Sequence, residues 1–249
     1  MSAASLPIFL RGLGLTTIVR EHEAAITRAE ADNWGYRRFL QHLVETETNE
    51  RLTRRIERLV KESGLPASET LARLAPEKFP DKARRLLPTL RTGEFVRRGD
   101  AICVFGLPGT GKSAYVCALC RDLVEQHQVK VLFLSAFKLV TRLLAAKRDL
   151  ALPAFLTKLN RFDVVIVDDI SYITQSIEEN DVLFALFAER YEQHKSVIVT
   201  SNLVPSQWDQ IFKNPMTAAA IIDRLVHRGY QLEFTGASFR AQAAKARRA

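Results

Sequence analysis

The run Gly106-Leu107-Pro108-Gly109-Thr110-Gly111-Lys112-Ser113 fills every fixed position of the pattern G-x-x-x-x-G-K-[ST]. It lies directly after an apolar stretch at 101–105 and directly before a helical pattern from 112. Strand, glycine-rich loop and helix in that order are what phosphate binding requires. The glycines let the backbone curl until its N–H groups converge on a phosphate at the positive end of the following helix. Gly106, Pro108, Gly109, Thr110 and Gly111 would form the cradle for ATP, Lys112 would reach the β- and γ-phosphates, and Ser113 would offer an oxygen to Mg2+. A second signal follows at Phe162-Asp163-Val164-Val165-Ile166-Val167-Asp168-Asp169, where four apolar residues end in two acids. That is the pattern of a buried parallel strand whose carboxyl end meets the phosphates, with Asp168 holding Mg2+ through water and Asp169 polarising the attacking water. A third run, Val197-Ile198-Val199-Thr200-Ser201-Asn202, ends in small polar residues at the same edge. The Asn202 amide could orient that water or touch the γ-phosphate without adding charge.

The elements that must position these residues alternate. β-rich runs at 101–105, 130–135, 163–168, 196–201 and 230–235 are separated by helical patterns such as 112–126 and 179–193. Strand then helix, repeated, predicts an α/β fold with a parallel sheet covered on both faces. Residues 8–62 read as helix almost throughout. From Trp34 to Glu62 the apolar positions Tyr36, Phe39, Leu40, Leu43, Val44, Leu52, Ile56, Leu59 and Val60 recur at steps of three and four, with a gap around Glu47-Thr48. Gly64-Leu65-Pro66-Ala67-Ser68 breaks that helix, and a Pro- and charge-rich stretch follows. The expected organisation is a helical domain over 1–75, a basic linker over 76–98 and a nucleotide-binding domain with a short basic tail over 99–249.

Charge is distributed unevenly. Residues 1–99 hold 18 Lys and Arg against 13 acids, residues 100–233 hold 14 against 15, and residues 234–249 hold 4 against none. Basic ends around a near-neutral middle are what arms that meet a polyanion would show. Arg51, Arg54, Arg55, Arg58 and Lys61 fall mostly on one helical stripe, and Arg84 and Arg85 sit in the linker. The stripe is either a phosphate-contacting surface or a solvated face with pairs such as Glu47–Arg51 and Glu50–Arg54. The apolar runs are far shorter than the ~20 residues of a membrane helix, and Met1-Ser2-Ala3-Ala4-Ser5-Leu6-Pro7 does not read as an export signal. Cys103, Cys117 and Cys120 lie in apolar stretches and are expected as buried thiols in a reducing cytoplasm. The five histidines share no metal-ligand spacing with them. Trp208 is expected as a packing anchor, and Trp34, Tyr36 and Phe39 as core rather than as stacking surfaces for single strands.

Together with the phosphate loop and the apolar-Asp-Asp strand, one set of residues resembles the IstB-type ATPases. It comprises Thr200-Ser201-Asn202-Leu203, Trp208-Asp209, Phe212, Asp223-Arg224-Leu225, His227 and Gly236-Ala237-Ser238-Phe239-Arg240. These are AAA+ transposition helper proteins related to replicative helicase loaders of the DnaC kind. Ala29-Glu30-Ala31-Asp32-Asn33, Phe39-Leu40, Leu43, Glu47 and Arg51 are similar to the family's helical DNA-binding region. The resemblance implies that Arg224 is the arginine presented to a neighbouring subunit's γ-phosphate, and that Arg240 is a phosphate sensor within the same subunit. Two departures stand out. The strand end usually reads Asp-Glu in this family and here reads Asp168-Asp169, which implies slow turnover. Only 14 residues follow position 235, too few for a full helical lid.

The expected function is an ATP-dependent, Mg-dependent DNA-binding ATPase, stimulated by DNA, that oligomerises on duplex DNA and recruits or activates a transposase. A replicative helicase loader and a nucleotide-switched, weakly hydrolysing adaptor are the alternatives.

Overall fold

The structure is a computed structural model that describes residues 5–74, 77, 79–172, 176–212, 215–227, 229–236 and 238–239. The chain divides into two compact units, Met1–Arg58 and Leu59–Ala249. The first contains helices α1 (Leu6–Gly12) and α2 (Thr16–Ala31), and the division falls within α3 (Tyr36–Ser63). The helical stretch from 34 is thus one helix, ending where Gly64 takes a left-handed φ of 68°.

Periodicity misleads in the first unit. Ile18, Ala25 and Leu43 are buried with Leu10, Leu15 and Phe39 packed against them, whereas Tyr36, Leu40 and Val44 are exposed. The apolar gap at Glu47 explains the organisation. Its carboxylate is buried, and Oε2 accepts the backbone N–H of Thr17 at 2.8 Å and of Ile18 at 3.0 Å. These are first-turn donors of α2 that have no partner within their own helix. Oε1 accepts from Arg51 Nε at 2.7 Å, and Arg51 also donates to the Gly14 carbonyl at 2.7 Å. Burial alone would raise the Glu47 pKa, but hydrogen bonds from Arg51, Ile18 and Thr17 hold it below the ordinary value.

The second unit is built on a parallel five-stranded sheet, formed by β1 (Ala101–Gly106), β2 (Val131–Ser135), β3 (Val164–Asp168), β4 (Ser196–Ser201) and β5 (Gly229–Phe234) in the order β2-β3-β4-β1-β5. Period-two alternation divides its side chains between two cores. Ala101, Cys103, Val165, Val167, Val197 and Val199 enter one, and Ile102, Val104, Val164, Ile166 and Ile198 enter the other. The first core is roofed by α7 (Ala136–Arg148), α8 (Leu152–Leu159), α9 (Ile177–Glu192) and α10 (Pro215–His227), and holds Trp208, 1% exposed, as the expected anchor. The second is roofed by α6 (Lys112–His127).

The stretch 76–98 differs from the expected linker. It carries α4 (Asp81–Arg91) and α5 (Glu94–Arg98), and Ala83, Leu90 and Phe95 are buried in the same core as Ile102 and Val104. Prolines and arginines dominate its composition, but Phe79, Ala83, Leu86, Leu87 and Leu90 sit at helical steps facing inward.

One buried cation ties irregular backbone to this unit. Arg190, fully buried, donates to the carbonyls of Leu159 (3.0 Å), Phe162 (2.8 Å), Asp163 (3.1 Å) and Ser196 (2.5 Å), joining the end of α8 to the starts of β3 and β4. Burial pushes its pKa down to about 9, partly offset by Asp163, so it stays cationic at neutral pH.

Candidate functional site

The sheet order places β4 between β1 and β3, so the loops leaving all three converge at one edge. The loop after β1 has the backbone its glycines predict. Gly106, Gly109 and Gly111 have φ of 137°, 80° and 91°. A Cβ at Gly106 would meet the Phe234 carbonyl oxygen at 2.2 Å, and one at Gly111 would meet the Phe239 ring at 2.8 Å. Only glycine satisfies both the angle and the space.

Lys112 is 5% exposed, and its Nζ donates to the carbonyls of Gly106 (2.7 Å) and Leu107 (2.9 Å) and to Asn202 Oδ1 (2.9 Å). Ser113 Oγ donates to Asp168 Oδ1 at 2.7 Å, and Thr200 Oγ1 donates to the same oxygen at 2.7 Å. Thr200 Oγ1 in turn accepts the Asp169 N–H at 2.8 Å. Asp169 itself has a left-handed φ of 60°, a sparsely populated conformation that aspartate tolerates better than most residues. Ser171 Oγ accepts the Asn202 N–H at 2.9 Å, fixing the turn after β4. A cavity of about 390 Å³ opens on this arrangement, lined by Pro108, Gly109, Gly111, Lys112, Ser113, Asp168, Asp169 and Asn202. One network therefore gathers most of the residues expected at the site. Thr110, also expected, is buried beside it with Oγ1 on the Leu107 carbonyl at 2.8 Å.

The same cavity is lined by residues that motif reading missed, namely Pro66, Glu69, Ala114, Cys117, Phe133 and Phe239. Pro66 and Glu69 arrive from the segment after α3, which Arg121 pins through the carbonyls of Pro66 (2.9 Å) and Glu69 (3.2 Å). Phe239 belongs to the motif that carried the resemblance, and its N–H donates to the Gly109 carbonyl at 2.9 Å. Thr200 was also missed as a site residue. Its signal was a hydroxyl two residues before Asn202 in an otherwise apolar strand.

Arg224 does not line this cavity. It lies on α10 beside a second cavity, with Tyr191, Met216, Ala219, Ala220 and Asp223. Arg240 lies outside the described residues. On the basic stripe, Arg51 holds Glu47 and Gly14, and Arg54 contacts Glu50 (3.0 Å) and Thr16 (3.1 Å). Arg84 pairs with Asp81. Arg58 is exposed, while Arg55, Lys61 and Arg85 are exposed with no ion pair among the described residues. The three cysteines are free and buried, and burial pushes Cys103 up to about 12; burial with the nearby Asp168 and Glu69 charges does the same for Cys117. Among the described residues no helix is long and apolar enough to cross a membrane.

The profile of the IstB-like ATP binding protein family matches residues 9–247. An insertion-sequence ATP-binding protein of Sinorhizobium fredii is 35% identical over 242 residues, which are 97% of this chain and 80% of that protein. The ATP-binding protein of insertion sequence IS21 from Pseudomonas aeruginosa is 31% identical over 235 residues, 94% of this chain and 88% of its own. Among solved structures, a DnaC helicase loader aligns with a TM-score of 0.54 at 20% identity, over 68% of this chain and 98% of its own. The replication initiator DnaA bound to AMPPCP and single-stranded DNA aligns at 0.59 and 17% identity, over 74% of this chain and 55% of its own. These last two likenesses are of fold alone, a parallel sheet covered by helices. With the profile spanning nearly its whole length, the chain belongs to the family of IstB-like ATP-binding proteins.

Proposed function

We propose that this protein is an AAA+ ATPase that binds ATP with Mg2+, assembles on duplex DNA as a homo-oligomer, and delivers or activates a transposase at the target site. The observation that carries the nucleotide half is the polar network at the strand ends, where Lys112 meets Asn202 and Ser113 meets Asp168 around one cavity. A hydroxyl and a carboxylate 2.7 Å apart beside a phosphate loop are the hard oxygen donors that suit Mg2+. Bound there, the ion would neutralise charge on the β- and γ-phosphates.

The residues divide the remaining work. Amides of the loop from Gly106 to Gly111 bind phosphate, and Lys112 exchanges its carbonyl partners for phosphate oxygens. Asp169 accepts a proton from the attacking water, whose oxygen bonds to the γ-phosphorus as the bond to the β–γ bridging oxygen breaks. Asn202 orients that water or holds the γ-phosphate. With a side chain one methylene shorter than glutamate and a left-handed backbone, Asp169 supports slow turnover. Arg224 stands outside its own subunit's cavity, and this supports its action on a neighbour's γ-phosphate. Arg240 is proposed as the sensor within the same subunit.

For DNA, the excess of cations in residues 1–99 and 234–249 supports backbone contacts. Arg55, Arg58, Lys61 and Arg85 are placed in that role, with Arg51, Arg54 and Arg84 contributing alongside their internal pairs. The relatives' insertion-sequence names support transposition as the setting, and three buried free thiols fit a reducing cytoplasm. Tyr36, 93% exposed, is the observation that favours the loader alternative, because exposed aromatics stack on single strands. Binding to matched duplex and single-stranded DNA with ATP and Mg2+, across a salt series, separates the two. Preferential duplex binding with a log–log slope near −0.9 per neutralised phosphate is the expected result. A preference for single strands reduced by Tyr36→Ala would establish the loader instead.

A further inference from the structure

The carboxyl-terminal arginine site contains a group with no assigned role. The Arg224 guanidinium lies over the Phe184 ring, 5.1 Å from its centroid, and Nη1 donates to the Ala220 carbonyl at 2.9 Å. Phe184 comes from α9 and is packed against the core beneath that helix. Among the described residues no carboxylate lies within ion-pair distance of Arg224, although Asp223 precedes it and lines the same cavity. A carboxylate partner would compete with a phosphate for the guanidinium. An aromatic face and a carbonyl orient it while leaving its full charge available to an anion.

We propose that Phe184 is the positioning residue for Arg224. Its ring holds the guanidinium at the mouth of a cavity of about 510 Å³, lined by Tyr191, Met216 and Asp223, against which a second copy of this chain presents its bound nucleotide. The ligand of this face is thus the triphosphate of the adjoining subunit. The inference rests on the reading of Arg224 as acting in trans and deepens it.

A positioning role differs from a packing role in what it changes. Phe184→Leu keeps volume and apolarity but removes the ring's negative face. Measured on the full chain with duplex DNA, ATP and Mg2+, kcat should fall about tenfold with KM unchanged, matching the loss of a partly desolvated cation–π contact. Phe184→Tyr restores the face and should retain at least half of the wild-type kcat. If Phe184→Leu lowers the unfolding midpoint, Phe184→Met provides the same comparison.

Mixing experiments separate this inference from the reading beneath it. Asp169→Asn subunits still bind nucleotide and assemble, and they keep Arg224 and Phe184, so they should restore turnover to Arg224→Ala subunits and, equally, to Phe184→Leu subunits. Phe184→Leu mixed with Arg224→Ala should not recover. Failure of Asp169→Asn to rescue Arg224→Ala overturns the trans reading of Arg224. Rescue of Arg224→Ala alongside wild-type kcat in Phe184→Leu, or an equal loss in Phe184→Tyr, overturns the role of Phe184 alone.

Discussion

Each of the two units organises irregular backbone around a buried charge, Glu47 in the first and Arg190 in the second, but they distribute their other charges differently. In the α/β unit Arg190 gathers four carbonyls at the strand starts, while Lys112, Ser113 and Asp168 sit at the opposite, carboxyl edge. Architecture and chemistry are carried by different residues there. In the helical unit the two overlap. Glu47 caps α2 and is itself held by Arg51, and Arg54 reaches Thr16, so cations on the candidate DNA stripe also maintain the fold. A substitution of Arg51 or Arg54 therefore changes binding and stability together, whereas the phosphate site can be altered with the scaffold intact.

The sharpest way to break this contrast is Lys112→Ala. Turnover should fall on the order of 10³-fold, as for loss of a charged phosphate-stabilising donor, with the unfolding midpoint unchanged within error. A large loss of stability would refute the separation of chemistry from architecture. Arg190→Ala should do the reverse, because it strips a buried charged donor from four carbonyls, of which the Leu159 and Asp163 oxygens keep the backbone N–H of Phe162 and of Ser196. A loss of about 3 kcal/mol is expected from denaturant unfolding of the α/β unit.

Glu47→Ala should cost about 2 kcal/mol, since two helix-start amides lose their acceptor. Hydrogen exchange at Thr17 and Ile18 reads it directly, with turnover per nucleotide-bound subunit unaffected. The same residue sets a pH dependence. Its folded-state pKa lies below the unfolded one, so its contribution is complete above about pH 4.3 and is lost as pH falls through the lower folded value. Protection of α2 should decline over that acid window in the wild type and much less in Glu47→Gln.

The smallest effects separate neighbouring arginines. Arg55→Ala should change stability by less than about 0.5 kcal/mol and reduce the salt slope of DNA binding by about 0.9. Arg51→Ala should lower both stability and affinity. Identical behaviour of the two would remove the distinction between structural and solvent-facing members of the stripe.

What could be read from the sequence follows the range of the interactions. The phosphate loop was legible because eight consecutive residues specify its backbone, and the strand ends because apolar runs stop at their acids and amide. Thr200 was harder, since its role arises only when β4 lies beside β3 and its hydroxyl joins Asp168 to Asp169. Pro66, Glu69 and Phe133 reach the cavity from distant segments and carry no local signal. The helices over 81–98 were concealed by arginines on their exposed side, and their apolar steps become visible only against a core to receive them. Glu47 interrupted an apolar period that was read as a gap. Its burial is understood only through the amides of another helix, 30 residues away in sequence.

In the proposed function, nucleotide in the phosphate cavity controls assembly on DNA. Particle mass measured on a duplex with ATP and Mg2+, with ADP, and with Lys112→Ala tests it most directly. Multi-subunit particles with ATP alone, absent with ADP and with Lys112→Ala, are the predicted result. Particles of equal mass in all three conditions would contradict it.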